Sequence, residues 1–241
     1  MTGMRGVLCA ALVLAGPGLA GCGLDVQVGS GDRVPQARAL HGQPFDRVTN
    51  GGALEVHVRE GAEASVVVTL EEDLQRFVRV EVRDGVLEVD HTAALWTELP
   101  GRVDVTLPRL AGVRLDGSGA VEVSDVAPGR DVELTLDGSG PLRFQGAPRL
   151  ALVHQEGSGA LTLEGEAAEL RVTSSGSGPV RARGFPAAVA HLGASGSGSV
   201  VATASREAHV RLTGSGSIEL WGEAQVATLE DSGSGSLVLR R

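Results

Sequence analysis

Three kinds of position in this 241-residue chain could carry chemistry: a cysteine behind an apolar leader, repeated glycine-serine clusters, and carboxylates just before those clusters. Glycine-rich loops can cradle phosphate, but a P-loop also needs a lysine to reach the outer phosphates. All 21 basic residues here are arginine, so that chemistry is excluded. A nucleophile elbow needs a serine with glycine two residues away on both sides, and no serine meets this pattern. The histidines His41, His57, His91, His154, His191 and His209 are scattered singly, with no pair at metal-ligand spacing. They read as solvent-facing strand residues. No cofactor is implied.

The carboxylates are Asp116, Asp137 and Glu156, each one residue before a Gly-Ser-Gly triplet; Ser175, Ser195, Thr213 and Ser232 hold that place later on. Stacked one above another, they form a ladder. Like charges ~4.8 Å apart repel by only ~0.9 kcal/mol per pair at the dielectric of water, so exposure makes it tolerable. A hard cation such as Ca²⁺ would need more converging oxygens, and the calcium-binding nonapeptide of β-rolls is absent. A solvated face is the expectation, with a cation on Asp116, Asp137 and Glu156 as the sharper alternative.

Cys22 has a more specific setting. Arg5 precedes an apolar run from Val7 to Ala15, followed by Leu19-Ala20-Gly21-Cys22. A run this short reads as an export signal rather than a membrane span. Leu-Ala-Gly-Cys is similar to the bacterial lipobox. That resemblance implies cleavage after residue 21 and a Cys22 bearing acyl chains, an anchor to the membrane. Gly23, in place of an aspartate, favours the outer membrane. Cys9 leaves with the signal, so the mature chain has no internal disulfide and must rely on its core and backbone ladder.

The elements that position these residues follow from the repeat. Gly-Ser-Gly begins at Gly117, Gly138, Gly157, Gly176, Gly196, Gly214 and Gly233, at spacings of 18 to 21 residues; the closing glycines are Gly119, Gly140, Gly159, Gly178, Gly198, Gly216 and Gly235. Two and four residues beyond each closing glycine every residue is apolar, from Val121 and Val123 to Leu237 and Leu239. Four and six residues before each opening glycine the same holds, from Val113 and Ala111 to Leu229 and Ala227. Such alternation marks strands with one buried face. Two residues before, the column degenerates to Leu115, Leu136, Gln155, Ser174, Ala194, Leu212 and Asp231, and the wall is expected to open to solvent there.

The fold class is therefore all-β: a single-stranded parallel β-helix or solenoid with ~19-residue rungs. Glycine suits the tight corner because it reaches φ > 0 and permits close backbone approach. Residues 44–110 repeat the theme less regularly, with strands around Val56, Val68, Val80, Val89 and Val105. Turn signals at Asn50-Gly51-Gly52, Glu60-Gly61 and Asp84-Gly85 separate them, the last suggesting a hairpin. Residues 22–43, rich in glycine, proline and charge, read as a flexible tether. The domain plan is a signal at 1–21, the tether at 22–43 and one solenoid domain at 44–241.

Phe45, Val48 and the Leu54 to Gly61 segment lead this domain, followed by the alternating run Val80 to Val89 and by Val103-Asp104-Val105-Thr106-Leu107-Pro108-Arg109-Leu110. With the serial triplets, this order resembles the auto-transporter adhesin head domain family called GIN, or DUF2807. The resemblance implies a β-helical, right-handed coil on an exported bacterial protein, and brings no catalytic residues.

Composition narrows the partners. The formal charge is −9 without basic clusters, which argues against nucleic acid. Aromatics are 2%, with no tyrosine, too few for the stacking platforms of a polysaccharide-active β-helical enzyme. The expectation is a non-enzymatic, lipid-anchored envelope module, adhesin-like or structural, meeting an envelope protein or glycan. The alternative is an envelope-assembly or sensing lipoprotein that self-associates. Its motive is the C-terminal rung of Leu237 and Leu239, which lacks a polar cap and invites a homodimer.

Overall fold

The computed structural model describes residues 26–241; the expected signal at 1–21 and Cys22 lie outside them. β1 (Val26–Val28) and β2 (Arg33–Ala37) precede the first coil, which is β3 (Arg47–Asn50), a Gly51–Gly52 corner and β4 (Glu55–Glu60). The chain then leaves the stack through β5 (Ser65–Glu71), a 3₁₀ segment (Glu72–Phe77), β6 (Val78–Arg83) and β7 (Val86–His91). It continues with β8 (Ala94–Trp96) and β9 (Arg102–Leu107). β7 pairs in parallel with β3, and β9 with β4, so a second coil lies beneath the first.

Antiparallel strands cover the free edge of that lower coil. β5 runs against β9 and β2, and β6 against β7. The Asp84–Gly85 hairpin joins β6 to β7, with φ of 50° and 79° at its two residues, both in the left-handed region. Leu74 of the 3₁₀ segment plugs the core at this end.

Above β3 and β4 the rungs are regular. They run through β10 (Gly112–Leu115), β11 (Val121–Val126), β12 (Asp131–Leu136), β13 (Leu142–Gly146), β14 (Leu150–Gln155) and β15 (Leu161–Gly165). β16 (Ala167–Ser174), β17 (Val180–Ala194), β18 (Ser199–Leu212), β19 (Ser217–Trp221), β20 (Gln225–Asp231) and β21 (Ser236–Arg240) complete the stack. Every pairing among them is parallel. The columns read from the sequence are real. Leu134, Val153, Val172, Leu192 and Val210 pair in register, as do Leu142, Leu161, Val180, Val200 and Ile218, and all are buried.

Four expectations change. The triplet glycines do not adopt positive φ; that conformation belongs to others, such as Gly165 and Gly222 at the looser corner. What excludes a side chain at the triplets is proximity. A Cβ on Gly159 would lie 2.1 Å from the Gly140 carbonyl oxygen, and one on Gly178 2.0 Å from that of Gly159. The closing glycines also hydrogen-bond down the stack, Gly159 N–H donating to Gly138 O at 3.2 Å and Gly178 N–H to Gly157 O at 3.3 Å. Second, Asn50-Gly51-Gly52 is not a separator but the corner of the rung below the first triplet, where a Gly117 Cβ would meet Gly52 O at 2.0 Å.

Third, the column two residues before each triplet stays closed. Gln155 and Ser174 are buried with Leu115, Leu136, Ala194 and Leu212, because they satisfy each other and the backbone. Only Asp231, on the last rung, is exposed. There a bulge sets Val226, rather than Ala227, beside Ala208.

Fourth, part of the expected tether is built into the fold. Val34 pairs with Leu70 and Ala37 with Val67. The buried Gln75 amide donates to Val34 O at 2.9 Å, and the Arg38 guanidinium donates to Gln75 Oε1 at 2.8 Å. Polar bridges hold β2, so its composition gave no apolar signature. Pro35 fits because β2 is an edge strand.

Candidate functional site

Parallel in-register strands project alternate residues outward, so each outer face is a grid whose columns repeat once per rung. The expected carboxylate ladder is present on the face before the triplets. Asp137 N–H donates to Leu115 O and Glu156 N–H to Leu136 O, one rung apart. Arg114 occupies the gap. Its Nε donates to Asp116 Oδ1 at 2.7 Å and its Nη2 donates to the Asp137 carboxylate. A guanidinium thus does the neutralising that a cation would have done. Among the described residues no three His, Cys, Asp or Glu side chains converge as a metal site. Glu156 remains a solvent-facing carboxylate.

The histidines are less scattered than they read. His191 and His209 pair in register on β17 and β18, and their rings stack with centroids 4.5 Å apart and planes 4° from parallel. Glu169 lies 3.4 Å from His191 Nε2, and Glu207 lies 3.0 Å from His209 Nε2. Burial lowers the His191 pKa, and the His209 charge lowers it further. Beside the pair, Gly193 leaves a notch in the column between Thr173 and Arg211, opening a shallow concavity of about 410 Å³. The spacing of the two histidines, 18 residues, equals one rung. That was the signal available in the sequence.

The opposite face carries a second concavity of about 430 Å³, and it is strongly polar. β4, β9, β11 and β13 supply His57, Arg102, Asp104, Glu122 and Arg143, and β15 adds Glu164. A bulge at Ser124–Asp125, with Asp125 at φ 54°, breaks the register between Val123 and Val126 and raises one wall. Arg102 Nε donates to Asp104 Oδ1 at 2.9 Å, and this bond raises the guanidinium pKa. His57 Nδ1 lies 3.5 Å from Glu122. Among the described residues Arg59, Asp125, Arg143 and Glu164 have no charged partner within the fold, which leaves two cations and two anions directed at solvent.

The architecture is that of a parallel β-solenoid closed at one end by antiparallel strands, presenting two flat polar faces. The chain belongs to the DUF2807 family, described as "Putative auto-transporter adhesin, head GIN domain", whose model matches residues 44–224. Similar folds occur in crystal structures of a "putative adhesin" from Bacteroides fragilis (19% identity, TM-score 0.78, 89% of this chain and 100% of that one). A "Putative lipid binding protein" from Parabacteroides distasonis matches at 18% identity and TM-score 0.71, over 90% of this chain and 99% of that one. A "putative adhesin" from Parabacteroides merdae matches at 16% and 0.68, over 89% and 99%. A search of the curated proteins finds no match. At these identities the structural likeness speaks to fold.

Proposed function

We propose that this chain is a non-catalytic, lipid-anchored module of the bacterial cell envelope that binds a polar partner, glycan or protein, through the outer face of β4, β9, β11 and β13. The observation that carries this reading is the set of charges without an ionic partner, Arg59, Asp125, Arg143 and Glu164, in a shallow mixed-charge concavity on a rigid grid. Flat sheet faces with short corners suit recognition of an extended surface more than enclosure of a reacting group. Membership of an adhesin-type family points to an exported protein, and among the described residues no helix is long and apolar enough to cross a membrane. Attachment then rests on Cys22, with the outer membrane as the favoured site.

The test is sedimentation of the protein with isolated envelope fragments. Wild-type protein should co-sediment, and Arg143→Glu should weaken binding about tenfold, roughly 1.4 kcal/mol. Equal binding by the variant would reject this face. Reducing ends released from the fragments by repurified protein would overturn the non-catalytic reading. Cys22→Ala should move the protein from the detergent phase to the aqueous phase; unchanged partitioning would remove the anchor.

A second reading, self-association in envelope assembly or sensing, draws on the last rung. Leu229 is 53% exposed and Leu239 58%, on strands that pair on one side only. A strict monomer by light scattering at high micromolar concentration would reject it.

A further inference from the structure

Six large apolar side chains stand exposed among the described residues, and four of them gather near the first described residue. Val26 is 49% exposed, and Val28, Trp96 and Leu99 are each 60% exposed. β1 and β8 form a two-stranded parallel ribbon outside the main sheet, pairing Val26 with Ala94 and Val28 with Trp96. Residues paired in parallel register share a face, so Val26, Val28, Ala94 and Trp96 form one continuous apolar patch. The other face of the ribbon turns Leu95 onto the protein core. Gly29 N–H donates to Trp96 O and extends the ribbon's own pairing, and Ser30 fixes it to the body by binding the Asp73 carboxylate of the 3₁₀ segment through both its N–H and its hydroxyl.

We infer that this patch is a membrane-contact surface, seated in the interfacial zone of the bilayer that holds the Cys22 acyl chains. The inference rests on the lipid-anchor reading above. Val26 lies four positions after Cys22, and a chain extends at most ~3.6 Å per residue, so an anchored Cys22 keeps Val26 within about 14 Å of its lipid. The headgroup zone on each side of the hydrocarbon is itself about 5–7 Å deep. Tryptophan is the side chain that favours this zone, being broad and apolar with one N–H to hydrate. Carboxylates flank the ribbon at Glu71, Glu72 and Asp73, so the contact is with zwitterionic lipid and gains nothing from anionic headgroups.

The chain carries a built-in reporter. Its two tryptophans are Trp96, in the patch, and Trp221, on β19 near the other end of the stack beneath the Arg183 guanidinium. The full chain, purified from membranes and reconstituted into phosphatidylcholine vesicles with bromine near the headgroup end of the acyl chains, should lose much of its tryptophan emission. That quenchable fraction should vanish in Trp96→Phe, a conservative change at an exposed site. Adding phosphatidylglycerol should not increase it. Vesicles that float with the protein but leave Trp96 unquenched overturn the inference while sparing the anchor. If the protein fails to float, the anchor reading fails instead; the Cys22 thiol is then coupled to a maleimide lipid and the quenching repeated, and its absence there again overturns the patch. A blue shift that grows with protein density without bromine quenching assigns the patch to a second copy and also overturns it.

Discussion

The Ser174 hydroxyl donates to Gln155 Oε1 at 2.6 Å, across adjacent rungs and inside the coil. The glutamine amide in turn donates to Gly157 O at 2.7 Å, fastening the wall to its own triplet. Both side chains are buried, with Leu136 on the rung below and Ala194 on the rung above. Removing one partner strands the other without water. Gln155→Ala should cost about 2–4 kcal/mol, and Ser174→Ala about 1 kcal/mol. Gln155→Leu with Ser174→Ala, which extends the Leu115 and Leu136 column, should recover most of the loss. Urea midpoints for the two single variants and the double variant check this; a double variant no better than Gln155→Ala would refute the pairing account.

The closeness of the triplets gives a contrast within one residue type. Gly159→Ala forces a methyl group to 2.1 Å from a backbone oxygen and should unpair the rungs around it, visible as lost strand signal in circular dichroism. At Gly193 a Cβ meets only Val172 O, at 3.5 Å. Gly193→Ala should leave the fold intact, and the lower entropy of its unfolded chain should stabilise by up to about 1 kcal/mol. Equal behaviour of the two variants would mean that approach distance is not what selects glycine at the corners.

Glu60 performs a task that its exposed-looking sequence context hides. Its carboxylate accepts from Leu110 N–H at 2.8 Å and Ala127 N–H at 2.7 Å, and pairs with Arg130 at 3.3 Å. Leu110 is where the chain rejoins the stack after its excursion, and Ala127 is at the first loose corner. Hydrogen bonds to a charged group are worth about 1.5–3 kcal/mol, so Glu60→Ala should lower stability by roughly 3 kcal/mol or more. Amide exchange should quicken at Leu110 and Ala127 before it does at the distal rungs. Uniform quickening would argue against a local clamp.

The stacked imidazoles set a pH dependence. Burial and His209 push the His191 pKa below its ordinary 6.5, against the opposing pull of Glu169 and Glu207. The unfolded chain then takes up the proton more readily than the folded one, so this contribution is present above about pH 6.5 and fades as pH falls through that value toward the lower folded pKa. Between pH 7.5 and 5.5 the unfolding midpoint should drop, and His191→Gln should flatten the drop. A wild-type midpoint constant across that range contradicts the sign.

What could be read from the sequence was whatever repeats. Val153 and Leu161 announced their walls because alternation and an 18-to-21-residue period are properties of the chain itself. The Asp84–Gly85 hairpin was visible for the same reason, its turn chemistry being local. The unreadable parts depend on partners far away in sequence. Glu60 answers to Ala127, Gln75 holds Val34, and Gln155 is acceptable inside only because Ser174 lies one rung on. His191 and His209 were legible in principle, since their separation is a rung length. The excursion that lays β7 and β9 beneath β3 and β4 left no mark in the pattern, because a lower coil and an upper coil alternate alike.

That excursion makes the two ends of the rod unequal. With β5 and β6 occupying one end, whole cassettes of about 19 residues can be gained or lost only further up the stack. Each such event changes the reach of the molecule by one strand spacing, ~4.8 Å, and leaves every remaining column in line. Length in such a protein is a quantity that selection can adjust in discrete steps, with the base left untouched.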